Sequence, residues 1–223
     1  MPSSDITRPA SEIVARAAEL ATSTLANALD AVGLHNNVIV HIKAVAPGFR
    51  FVGRAVTVKE IAGAHGEFSS DDFRVGAMID AAQAGDVIVI DCGGAEASTW
   101  GGMASLAAKI KGVSGLLVDG AVRDLEEMIE FDFPVFSRHM VPTTGRLRLR
   151  IEDINVPVVI DSVAVSPGDL IVADGTGVVC LPKDRTEEIM EIAEKLDRDD
   201  RAAVDDLRNG LTFTQAMKKY KGI

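Results

Sequence analysis

Two hydrophobic periods alternate along this chain, and each change of period marks an element boundary. Residues 11–32 (SEIVARAAELATSTLANALDAV) carry apolar side chains at mixed three- and four-residue spacing and run into Gly33, which predicts one amphipathic helix with a glycine stop. β-rich runs follow at 36–43 (NNVIVHIK) and 51–61 (FVGRAVTVKEI), separated by a turn at Ala46-Pro47-Gly48. Residues 71–84 read as a helix ending at Gly85, and DVIVID at 86–91 as a short strand buried on both faces. The cycle repeats with a helix over 101–111 stopped by Gly112, a strand at 113–119 (VSGLLVD), a helix over 124–131 and a strand at 134–139 (FPVFSRH). Strand–helix–strand–helix–strand predicts βαβ crossovers and a parallel sheet.

The pattern then changes. Residues 156–181 are short apolar runs broken by Pro167-Gly168-Asp169 and Asp174-Gly175-Thr176-Gly177, a spacing that suits antiparallel hairpins. Asp184 with Glu187 fits a capping box that opens a long charged helix over 185–208, stopped by Gly210, with one more helical piece at 212–219. No repeat or linker interrupts the chain. The expectation is a single domain over 1–223, an α/β fold mixing parallel and antiparallel strands, with 185–223 as a helical C-terminal arm.

Composition narrows the partners. Lys and Arg number 23 against 33 Asp and Glu, a net charge of −10, and aromatic residues make up 4 % of the 223 residues. Phosphate backbones need clustered cations and single strands need stacking platforms, so nucleic acid is an unfavoured partner. The longest uncharged stretches are too short for a membrane helix, and the first residues show no basic and apolar leader, so the expected location is the cytoplasm. Cys92 and Cys180 follow apolar runs without a CxxC partner and read as buried thiols. The four histidines lack zinc-binding spacing, and Ser98 and Ser105 lack the G-x-S-x-G elbow of an esterase. The acidic run from Asp197 to Arg201 reads first as a solvated helix face.

Two loops at strand ends are candidates for chemistry. In the first, Cys92 to Ala104, the Gly101-Gly102 pair either opens a helix whose free N–H groups can hold a carboxylate or phosphate or forms only a tight strand-to-helix turn. In the second, Asp119-Gly120-Ala121-Val122-Arg123-Asp124, the last residue can cap the next helix together with Glu127, or can hold a divalent cation while Arg123 binds a substrate oxygen.

The ordered set AGDVIVIDCGG, TWGGMASLAA, GVSGLLVDGAVRDLEEM and VSPGDLIVADGTGVVCLP resembles the 4-hydroxy-4-methyl-2-oxoglutarate aldolase family, which also contains oxaloacetate decarboxylases and the regulators of ribonuclease E activity. The resemblance implies a layered α/β/β sandwich, of the swivelling-domain kind, assembled as a homotrimer or homohexamer. It also implies a lyase that cleaves a 2-oxo acid to pyruvate with Mg²⁺ or Mn²⁺. On this reading the amides of Gly101, Gly102, Met103 and Ala104 cradle the pyruvyl carboxylate, Arg123 contacts the carboxylate or keto oxygen, and Asp124 anchors the metal. Asp200 would be the acid supplied by the arm of a neighbouring subunit, standing where the family has Glu. The alternative is a noncatalytic, protein-binding regulator of the ribonuclease E inhibitor type; the Arg123-Asp124 pair favours the enzyme branch. Gly102, where aldolases often carry a side chain, and the insertion-like 63–72 depart from the pattern. Arg138, His139 and Arg146 are candidates for a second carboxylate of the substrate.

Overall fold

The computed structural model describes residues 6–220; the leader reading of the first residues falls partly outside that range. Four parallel strands form the centre of the molecule: β3 (Phe51–Ala62), β4 (Asp86–Asp91), β6 (Gly115–Val122) and β7 (Val135–Met140), adjacent in that order. Three helices make the crossovers: α3 (Val75–Ala81), α4 (Gly102–Lys111) and α5 (Leu125–Glu130). Val87 and Val89 face one side of β4, Ile88 and Ile90 the other, and all four are fully buried. Both faces of the sheet are therefore covered, which is why these strands read as unbroken apolar runs. The even set packs on Met78, Ala108 and Met128 of the three helices. The odd set packs on a two-stranded hairpin, β9 (Val158–Ile160) and β10 (Val163–Val165), giving the α/β/β layering. Asp161 and Ser162 join its strands with φ of 48° and 74°, the left-handed pair that a two-residue hairpin turn requires.

Antiparallel strands extend the sheet beyond β3. They are β11 (Leu170–Ala173), β12 (Val178–Leu181) and the two-residue β1 (Val38–Ile39). Helices α1 (Ser11–Ala18), α2 (Thr22–Ala31) and α6 (Thr186–Arg208) bury Leu25, Leu29, Ile189 and Met190 against Leu170, Val172, Val179 and Leu181 of that extension. A last helix, α7, spans Phe213–Lys219.

Several boundaries differ from the sequence expectation. The helix predicted over 11–32 breaks at 19–21, because the Asp174 carboxylate between β11 and β12 accepts the Thr22 N–H (2.9 Å) and hydroxyl (2.7 Å) and caps α2 from 152 residues away. Burial pushes the Asp174 carboxyl up, but these bonds outweigh it and hold it below its ordinary value. The run 36–43 yields only β1, with β2 (Lys43–Ala44) placed at the far edge on β7. The helix predicted over 71–84 shortens to a 3₁₀ turn at Ser70–Asp72 and α3. Two strands escaped the periodicity: β5 (Ser98–Trp100), beside β6, and β8 (Leu149–Ile154), antiparallel to the end of β3. The Asp184–Glu187 capping box does not form. Arg185 is the residue before α6 and provides no side-chain cap, while the Thr186 hydroxyl donates back to the carbonyls of Pro182 and Lys183.

Candidate functional site

The carboxyl ends of β5 and β6 meet at a cleft of about 290 Å³, lined by Gly101, Gly102, Met103, Ala104, Arg123, Asp124 and Glu127, with Phe73, Val75 and Thr144 as walls. Strand β5 fixes its floor. The Ser98 amide donates to Thr143 O at 2.9 Å and the Gly145 amide to Ser98 O at 2.8 Å, so the segment is pinned on the side away from β6. The buried Trp100 stacks on Phe133, and its indole N–H donates to Ser105 Oγ (3.0 Å), which itself donates to Gly101 O (3.1 Å). The first turn of α4 is thereby locked to the strand before it.

Across the cleft, Asp124 precedes α5 with φ 64° and ψ 48°. A capping residue ordinarily has extended backbone so that its side chain folds onto the next turn. In the left-handed conformation the carboxylate turns away, and no side-chain cap forms on α5. The capping box expected from Asp124 and Glu127 is therefore absent. Asp124 Oδ2 instead accepts the Gly102 N–H at 3.1 Å, with Arg123 Nε 3.6 Å away. Both side chains of that pair are about two-fifths exposed, 43 % and 39 %. Such a pair adds little stability and stays open to a ligand.

Two glycines make this approach feasible. A Cβ on Gly101 would strike Asp124 Oδ2; one on Gly102 would strike the Glu127 carboxylate and stand 2.7 Å from Glu127 Cβ. The side chain missing at 102 is thus replaced in space by that of Glu127. Of the free amides in the first turn of α4, that of Gly102 is spent on Asp124. Those of Met103 and Ala104 have no acceptor among the described residues.

Other sequence candidates lie elsewhere. Arg138 is engaged outside the cleft: its Nε donates to Asp119 Oδ1 (2.6 Å) and its Nη2 to Asp161 Oδ1 (2.9 Å). Arg146 donates to Ser70 Oγ, and neither it nor His139 lines the cleft. Asp200 lies on α6, outside the cleft of its own chain; burial, then Asp197 and Asp199, push its carboxyl above the ordinary value. Cys92 and Cys180 are buried free thiols, both pushed up first by desolvation. Glu127 was legible in the sequence only as a capping partner of Asp124. No three-membered cluster of His, Cys, Asp or Glu suited to a metal occurs among the described residues, and no helix there is long and apolar enough to cross a membrane.

A mixed sheet layered between helices and a hairpin, with a strand-end Arg–Asp pair facing a glycine-opened helix, defines the class to which the chain belongs. A family model described as Aldolase/RraA matches residues 22–180, and the chain is a member of that family. An uncharacterized protein of Methanocaldococcus jannaschii is 44 % identical over 113 residues, 51 % of this chain and 54 % of that one, so the match spans about half of that relative. A Halalkalibacterium halodurans protein provisionally named a 4-hydroxy-4-methyl-2-oxoglutarate aldolase is 35 % identical over 81 % of each chain. Among solved structures, the Streptomyces coelicolor protein RraAS2, described as an unusual member of the RNase ES inhibitor RraA family, superposes with a TM-score of 0.80. It is 26 % identical, over 89 % of this chain and 98 % of that one. The family thus holds proteins named as aldolases and proteins named as inhibitors.

Proposed function

We propose that this chain is a divalent-metal-dependent lyase that cleaves a C–C bond of a 2-oxo acid and releases pyruvate, by retro-aldol cleavage, by oxaloacetate decarboxylation, or by both. The observation that carries this reading is the Asp124 carboxylate, turned off its own helix and presented with Arg123 and the first turn of α4 to a single cleft. The donor set suits Mg²⁺ or Mn²⁺, since such ions keep several waters and need only one or two protein carboxylates beside substrate oxygens. Asp124 would hold the ion through the oxygen that Gly102 does not use.

Both reactions leave an electron pair on C3 of pyruvate as an enolate. Arg123 would stabilise that charge as it collects on the keto oxygen. The amides of Met103 and Ala104 bind the pyruvyl carboxylate at the positive end of α4 without moving any charged side chain. When bound, the metal supplies Lewis-acid polarisation of the same oxygens. Met103, Leu106 and Ile110 present an exposed apolar stripe along α4, which suits a subunit face of the homotrimer or homohexamer implied by the resemblance. The Asp200 of a neighbouring arm would then be the candidate to approach this cleft.

The test is pyruvate release from oxaloacetate and from 4-hydroxy-4-methyl-2-oxoglutarate, with Mg²⁺ or with EDTA, in wild type and Asp124→Ala. Metal-dependent turnover in wild type that is lost in the variant is expected. Folded wild-type protein with no turnover above the metal-only background would sink the enzyme reading and favour the inhibitor-like one, which the similarity to RraAS2 supports.

A further inference from the structure

Aldol cleavage requires a base for the C4 hydroxyl proton, whereas decarboxylation does not. We propose, resting on the lyase reading above, that Glu127 is that base, so that each cleft carries its own proton acceptor. Asp124 and Glu127 both line the cleft, but they stand in different states. Asp124 is anchored by the Gly102 amide and faces Arg123, an arrangement that fixes its carboxylate in place. Glu127 makes no side-chain hydrogen bond or ion pair among the described residues, and its carboxylate lies over Gly102 at the opening of α4. An uncommitted carboxylate on a mobile stem can take up and return a proton; an anchored one is better suited to a fixed charge. Gly102 makes room for it, because any side chain there would collide with Glu127. The absence of a side chain at 102 and the presence of an acid at 127 are therefore one feature.

The proton balance closes within the site. The Glu127 carboxylate takes the C4 hydroxyl proton as the C4 carbonyl forms and the C3–C4 bond breaks. The electron pair moves into the enolate of pyruvate. Glu127 then returns the proton to C3, giving pyruvate and the original carboxylate. No oxidant or co-reactant is needed.

The test uses the full chain with Mg²⁺. Three readouts are compared: pyruvate from 4-hydroxy-4-methyl-2-oxoglutarate, pyruvate from oxaloacetate, and exchange of pyruvate methyl protons for deuterons in D₂O followed by NMR. Glu127→Gln is expected to lower kcat for aldol cleavage by about 100-fold and to suppress methyl exchange similarly. Decarboxylation should stay within about twofold, because its carbon–carbon cleavage uses no base. Glu127→Asp should recover part of the exchange, and Glu130→Gln, on the same helix outside the cleft, should match wild type. Unchanged aldol cleavage and exchange in Glu127→Gln would overturn the proposal. So would an equal fall in both reactions, the mark of a structural role, or loss of aldol cleavage in Asp200→Asn with Glu127→Gln intact. Failure of wild type on both substrates would instead sink the lyase reading itself.

Discussion

Two Arg–Asp groupings stand near the carboxyl ends of the same parallel strands, one on the helix side of the sheet and one on the hairpin side. On the hairpin side everything is spoken for. Arg138 bridges Asp119 and Asp161, and Asp119 also accepts the Asp161 N–H at 2.7 Å. Asp161 accepts the amides of Val40 and His41 besides. Burial pushes the Asp161 carboxyl up, but the His41 amide, Arg138 and the other donors hold it far below the ordinary range. On the helix side, Arg123 and Asp124 are half-open, and the Glu127 side chain makes no hydrogen bond or ion pair among the described residues. The residue types are the same; what differs is whether their hydrogen-bonding capacity has been used. A saturated network welds the β9–β10 layer to the sheet, and an unsaturated one is free to meet a ligand.

Exchanging the two arginines for alanine should separate these roles most sharply. Arg123→Ala is expected to slow pyruvate release by about 10²–10³-fold, the usual cost of removing a donor to a developing oxyanion. Its melting temperature should stay near that of wild type, because the pair it breaks is exposed. Arg138→Ala should do the reverse, lowering stability by about 3 kcal/mol by removing the shared cation from two largely buried carboxylates. Urea unfolding and steady-state kinetics on the two variants decide the matter; similar profiles for both would end the distinction.

Gly102→Ala tests the close approach of α5 to α4. The added Cβ meets Glu127 and moves the Arg123–Asp124 turn, and a shift of about 1 Å at a site can cost roughly 100-fold in rate. A variant with wild-type kcat would show that the turn can give way freely.

Asp161→Asn should cost about 2 kcal/mol at neutral pH, the range for hydrogen bonds to a charged group. The sign with pH follows from its depressed carboxyl. Its contribution is fully present above the unfolded value and is lost as pH falls toward the folded one, so the gap between variant and wild type should narrow in acid. Denaturation midpoints at pH 7 and pH 3.5 measure it, and a gap that widens in acid would contradict the assignment.

The smallest effect is expected at Glu60, which is buried and accepts the Cys92 thiol at 2.9 Å. Desolvation pushes its carboxyl up, more than the hydrogen bond from Cys92 pulls it down. The folded state therefore holds this proton to higher pH than the unfolded state, and stability falls as pH rises from the unfolded value toward the folded one. Glu60→Gln removes that loss, so its melting temperature should exceed that of wild type by roughly 2–4 °C at pH 8 and match it near pH 4. A variant less stable than wild type at pH 8 would show that Glu60 is charged and paired in the fold.

Much of this architecture is legible in the sequence itself. DVIVID coincides with β4, Gly101-Gly102 open α4, and Gly112 closes it with φ 85°, because buried parallel strands and glycine stops leave short-range signals. Strand β5 did not, since three residues within a glycine-rich loop have no period to show. The split between α1 and α2 was equally silent, its cause lying in an aspartate 152 residues away.

The candidate site divides in the same manner. Sequence alone determined that Arg123 and Asp124 leave a strand end and that a glycine pair opens a helix nearby, because these are properties of neighbouring residues. It could not choose between Asp124 as a cap and Asp124 as a ligand-facing acid, as both readings share one spacing. Nor could it tell Arg138 from Arg123, or see that Glu127 fills the space left by Gly102. Those outcomes were decided by tertiary structure alone. An N–H such as that of Gly102 serves one acceptor at a time, and which acceptor takes it depends on groups that meet only when β5, β6, α4 and α5 pack together.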